Sequence, residues 1–96
     1  MDKKTRINEI INIELDGISR TIREYSTDQF VISYAEKLGI SEFRNNPIFL
    51  RPLIERIKQW YENQIEEIKK SQYVQHKDLH QKSYDIILEL SQLLNE

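Results

Sequence analysis

Glycine and proline together supply only four of the 96 residues: Gly17, Gly39, Pro47 and Pro52. A sheet fold of this length needs a tight turn at almost every strand end, and such turns draw heavily on residues that tolerate positive φ or fix it near −65°. With so few of them the chain is expected to fold as helices joined by a handful of capped breaks. The prediction is an all-α fold: a small bundle of three to four helices in one domain over 1–96, completed or extended by oligomerisation.

Isoleucine and leucine recur through the chain, which is 39% hydrophobic and 31% charged. That is wetter than an average domain but too apolar for a disordered one. A chain of this size buries only ~60–65% of its unfolded surface, which leaves a narrow stability margin. Cysteine is absent, which excludes disulfides, thiolate metal sites and cysteine nucleophiles. The start, Met-Asp-Lys-Lys-Thr-Arg, leads into alternating isoleucines and polar residues without the apolar core of a signal peptide. No run approaches the ~18 apolar residues of a membrane span. A cytoplasmic protein with no membrane contact is expected.

Periodicity defines the helices. From Lys3 to Glu24, Ile7, Ile11, Ile18, Ile22 and Tyr25 share one face, with Leu15 at its edge and Glu14 on the same side. A second strip holds Ile10 and Ile13 beside Gly17. Mid-helix glycine costs ~1 kcal/mol against alanine, so Gly17 marks either a close backbone approach or a bend. A short second helix follows a cap at Ser26 or Thr27, buries Phe30, Val31, Tyr34, Ala35 and Leu38, and ends at a left-handed Gly39. After a single turn from Glu42 to Asn45, a long helix is expected to start near Pro52 and run to about Ser71. Its stripe is Leu53, Ile54, Ile57, Tyr61, Ile65 and Ile68, with Gln64 inside it and Trp60 at its margin. The last helix, Lys77 to Leu94, faces inward with Leu79, Ile86, Leu90 and Leu93, with Ile87 and Leu94 at the flank. Tyr84 and Leu88 point almost the opposite way.

The segment Ala35-Glu36-Lys37-Leu38-Gly39-Ile40-Ser41 resembles the first helix and turn of a helix-turn-helix DNA-binding unit. The resemblance covers seven residues. It fails where a recognition helix should follow, because Asn45 replaces an apolar anchor and Pro47 stops the helix. Residues 37–58 carry five bases and two acids, but the whole chain has 14 basic and 16 acidic residues and a net charge of −2. Phosphate binding normally demands a clear basic excess. A nucleic-acid reading would use Lys37, Arg44, Arg51 and Arg56, with Trp60 as a stacking platform. His76 and His80, four apart, match a two-ligand metal spacing. Without a third ligand in view they read as solvated histidines, and no metal or cofactor is expected. No phosphate loop, nucleophile elbow or zinc-protease motif is present. Glu14 reads as a carboxylate bonded across the core, and no catalytic residue is assigned.

Apolar surface in excess of one stripe per helix is the functional signal. Ile10 and Ile13 on the first helix, Leu53 and Trp60 on the third, and Tyr84 and Leu88 on the fourth form second stripes. A bundle closed on itself has no use for them. These six residues are the expected partner interface of a non-enzymatic adaptor, regulator or inhibitor that binds another protein or forms a homodimer. Ile48-Phe49-Leu50, held between prolines, is a further anchor point.

Overall fold

The computed structural model describes residues 2–69 and 74–95, with side chains over 2–64 and 78–95. Every regular element among them is helical. The first rod comprises α1 (Lys3–Glu9), a π-helical turn (Ile10–Glu14) and α2 (Leu15–Tyr25). Then come α3 (Gln29–Leu38), the single turn α4 (Ser41–Arg44), α5 (Pro47–Lys69) and α6 (Val74–Leu94). α5 pairs with α6, and α3 bridges α2 to α5.

The Asp2 carboxylate starts α1 by accepting the Thr5 N–H at 2.7 Å. Arg6 ties the rod to α6: its Nε and Nη2 donate to the two Glu89 carboxylate oxygens at 2.7 and 2.6 Å. At the π turn the Leu15 N–H reaches the Ile10 carbonyl, five residues back. The extra residue in that turn rotates the helix relative to an α count. Ile10 and Leu15 both become fully buried, whereas Ile13 is 67% exposed. The sequence places Ile10 on a strip outside the core and Leu15 at its edge, and the π turn reverses both assignments. It also turns Glu14 away from the core to a half-buried place in the α2–α6 cleft, near Lys82 and Ser83.

Gly17 neither bends the rod nor admits a neighbour. α2 is regular across it, and a Cβ built there would meet nothing within 4 Å. Close contact occurs one turn on, where the buried Ser19 hydroxyl donates to the Ala35 carbonyl at 2.6 Å. Small side chains at that crossing let α2 and α3 approach.

Asp28, rather than Ser26 or Thr27, caps α3, accepting the N–H groups of Phe30 and Val31. Ser26 instead accepts the Asp28 N–H at 3.1 Å. The inner face of α3 is Val31, Ala35 and Leu38, while Phe30 is 77% exposed. Gly39 ends the helix with φ −84° and ψ −5°, not left-handed. Ile40, in extended backbone, precedes α4.

α5 begins at Pro47, five residues before the start expected at Pro52. Asn46 supplies the cap, its side-chain oxygen accepting the Ile48 N–H at 3.0 Å. Pro47 takes the first-turn position, where a missing N–H costs nothing. Pro52 is accommodated inside the helix because only the Ile48 carbonyl loses a donor, and Ile48 lies at the surface. Leu50, Leu53, Ile54, Ile57 and Tyr61 form the buried stripe. Gln64 is exposed. Ile65 and Ile68 lie outside the residues with described side chains.

α6 is turned relative to the sequence expectation. Its buried face is His80, Ser83, Ile87, Leu90, Ser91 and Leu94, and Leu79 is 42% exposed. Three polar residues point inward. The Ser91 hydroxyl donates to Glu55 on α5, which also receives Asn95 at 3.3 Å and Lys58 at 3.2 Å. These bonds hold the Glu55 carboxyl below its ordinary value, that from Ser91 contributing most. His80 is only 6% exposed, not solvated, and meets Tyr25 and Tyr61 edge-on with ring centroids 5.8 Å away in each case.

Candidate functional site

The six residues expected to form an interface do not share one role. Ile10 and Leu53 are buried in the chain's own core, so they are not surface available to a partner; the π turn brings Ile10 inward, and Leu53 continues the buried stripe of α5. Trp60 and Tyr84 are half-buried against the core. The Trp60 ring lies 4.8 Å from that of Tyr61, and Tyr84 lies 5.9 Å from Tyr61. Leu88 is half-buried. Only Ile13 is strongly exposed. Much of the excess apolar surface therefore serves an aromatic cluster around Tyr61 and His80. Burial pushes the Tyr61 hydroxyl up to about 12, the Ser83 hydroxyl opposing the shift. That phenol makes no well-formed hydrogen bond among the described residues.

The four basic residues also separate. Arg44 is used internally. Its Nη2 donates to the Ile11 carbonyl at 2.7 Å and its Nη1 pairs with Asp16 at 2.9 Å. Ile11 is the acceptor that Leu15 would use in an α-helix, so Arg44 supplies a donor to the π turn. Lys37 lies over the Phe43 ring at 5.8 Å. Arg56 lies over the Tyr34 ring at 5.2 Å and donates to the Tyr34 hydroxyl at 2.7 Å. Arg51 is exposed. The segment after Gly39 holds only the four-residue α4 before α5, so no recognition helix follows the turn. Among the described residues no group of three or more His, Asp or Glu is placed to hold a metal ion; the His76 side chain lies outside them.

An apolar groove opens between α3, α4 and the start of α5, with a volume of about 270 Å³. Leu53 at its base belongs to the core. Phe43, Phe49, Pro52 and Tyr34 line it, and the Phe43 and Phe49 rings meet at 5.4 Å. Ile48, 77% exposed, borders it. The charged lining residues are both cations, Lys37 and Arg56. The Ile48-Phe49 pair was visible in the sequence as an anchor. Its companions Tyr34, Lys37 and Arg56 were not, because α3 and α5 meet only in the folded chain.

A second hollow, about 210 Å³, lies where the α2–α3 connection faces α5 and α6; Tyr25, Asp28, Trp60 and His80 line it. It is more polar, and Asp28 is already committed to capping α3.

Comparison with known protein families, with curated proteins and with solved structures finds no match to this chain. Among the described residues no helix is long and apolar enough to cross a membrane.

Proposed function

We propose that this chain is a non-enzymatic protein-interaction module that receives an apolar segment of another protein in the groove between α3 and α5. The groove itself carries the reading. Ile48 and Phe49 stay exposed although a folded core lies beside them, and isolated chains seldom leave large apolar side chains clustered around a concavity. Aromatic anchors of this kind dominate interface energetics. The residues that suggested a homodimer from sequence support it less well. Ile10 and Leu53 are core, and Trp60 and Tyr84 are largely satisfied internally, so the reading shifts from self-pairing to a different partner.

The test is site-specific crosslinking in the native host. A photoreactive phenylalanine analogue replaces Ile48 in one variant and the exposed Gln92 on α6 in another. Irradiation should give a discrete adduct with one protein from position 48 and none from position 92. Equal adducts from both positions, or none from position 48, would overturn the proposal.

A further inference from the structure

Resting on the protein-binding reading of the α3–α5 groove, we infer that its occupant is an acidic amphipathic helix, with two large apolar side chains one turn apart and carboxylates beside them. Volume sets the number of anchors. A cavity of ~150 Å³ holds one benzene ring, so about 270 Å³ takes one to two leucine- or phenylalanine-sized groups. Residues three or four apart on a helix lie ~5–6 Å apart, which suits two neighbouring anchors. No strand edge exists among the described residues to pair an extended peptide.

Charge sets the chemistry of the flanks. The groove is lined by two cations and no carboxylate. Both cations lie over aromatic rings, Lys37 on Phe43 and Arg56 on Tyr34. Part of the ordering that binding would require is thus already complete. Arg56 uses one Nη to bond Tyr34, and its fork keeps further donors for a carboxylate. Of the five bases in the surrounding stretch 37–58, Arg44 pairs with Asp16 and Lys58 with Glu55, so Lys37, Arg51 and Arg56 are the ones that steer acidic partners toward this end of the molecule. The same pattern disfavours a second copy of the chain in the groove. Two-fold pairing repeats one patch on both sides, so Lys37 and Arg56 would face their own counterparts with no carboxylate of the lining between them.

A displayed library of random 16-residue peptides is selected on the full chain, with an Ile48→Glu variant as counter-target. Ile48 is exposed enough for the change to leave folding intact, which circular dichroism is used to check. The expected binders share two large apolar residues three or four apart and an excess of Asp and Glu. They should lose roughly 30-fold or more in affinity on Ile48→Glu, the scale of an interface anchor, and weaken as salt rises. Lys37→Glu/Arg56→Glu should turn the preference to basic flanks. Groove-dependent binders without acidic excess, unaffected by the double reversal, would overturn this inference and leave the protein-binding reading standing. No groove-dependent binder at all would sink both. Light scattering that shows a dimer dissociated by Ile48→Glu would make the occupant a second copy. Binding to phosphatidylserine vesicles that Ile48→Glu abolishes, in the absence of peptide binders, would make it a lipid surface.

Discussion

The Arg44 guanidinium, on the single turn α4, donates to the Ile11 carbonyl at 2.7 Å and bridges 33 positions of sequence to do so. It reaches the one stretch of the first rod where the α-helical bonding pattern is broken. With a side chain only 14% exposed and a second bond to Asp16, it is a structural arginine. Arg44→Ala should therefore destabilise the chain by about 2 kcal/mol, within the range for a charged hydrogen bond to a poorly solvated acceptor. Arg44→Lys should recover little, because a single ammonium does not span both acceptors. Urea unfolding followed by helical circular dichroism checks both.

Ile10 and Ile13 are three residues apart in one rod, yet one is fully buried and the other 67% exposed. Ile10→Ala should cost about 2–4 kcal/mol, as core truncations do. Against a typical margin of about 5–15 kcal/mol, that is a large share of the total and should lower the urea midpoint clearly. Ile13→Ala should change stability by less than about 0.5 kcal/mol. A regular α-helix through residues 10–14 would narrow that contrast, so the pair of melts reports directly on the π turn.

Tyr61 should govern the alkaline limb of stability. Burial raises its hydroxyl to about 12 from an ordinary 10.0, so the folded chain holds the proton more tightly than the unfolded one. Below pH 10 the phenol is neutral in both states and adds no pH dependence; stability falls as pH rises from 10 toward 12. Tyr61→Phe should flatten thermal melts between pH 10 and 12. At pH 7 it should be neutral or stabilising by up to about 1 kcal/mol, since it removes a buried hydroxyl without a well-formed bond.

Glu89 acts at the opposite end of the pH scale. Its hydrogen bond to Arg6 holds the carboxyl below the ordinary 4.5, so the stability it adds is present above that pH and fades as pH falls through the folded-state value. Glu89→Gln should lower the urea midpoint at pH 7, and the difference from the parent chain should shrink steadily as pH is lowered below 4.5. The difference at pH 7 should be small, because both side chains are partly exposed, and it should shrink in high salt.

Gly17 offers a gain. It lies in a regular helix with open space where a methyl group would go, so Gly17→Ala should raise stability by about 0.5–1 kcal/mol. A loss in urea unfolding would instead mean that α2 is not regular at Gly17 or that another part of the chain packs there.

The helices were legible wherever apolar residues alone faced inward. Ile18 and Ile22 in α2, and Leu53, Ile54, Ile57 and Tyr61 in α5, lie where their spacing puts them. α6 misled because its inner face includes His80, Ser83 and Ser91, while Leu79 lies outside. Hydropathy assigns such serines to solvent, yet Ser91 bonds Glu55 across the helix pair. Pro52 reads as a helix start until Asn46 is seen to supply a cap six residues earlier. The π turn has no local signature, since the arginine that serves it lies far along the chain. The groove was half legible: Ile48 and Phe49 were visible as anchors, but the two cations join them only through the packing of α3 on α5.

The turn at residues 10–14 also determines how the chain tolerates changes in length. A π turn is an α turn carrying one spare residue. Losing a residue there would restore the α count locally and leave α1 facing α6 and α2 facing α3. A loss elsewhere in the rod would swing one of those faces by about 100°. The interruption is therefore the place in the first rod where a one-residue deletion can be absorbed without repacking the bundle.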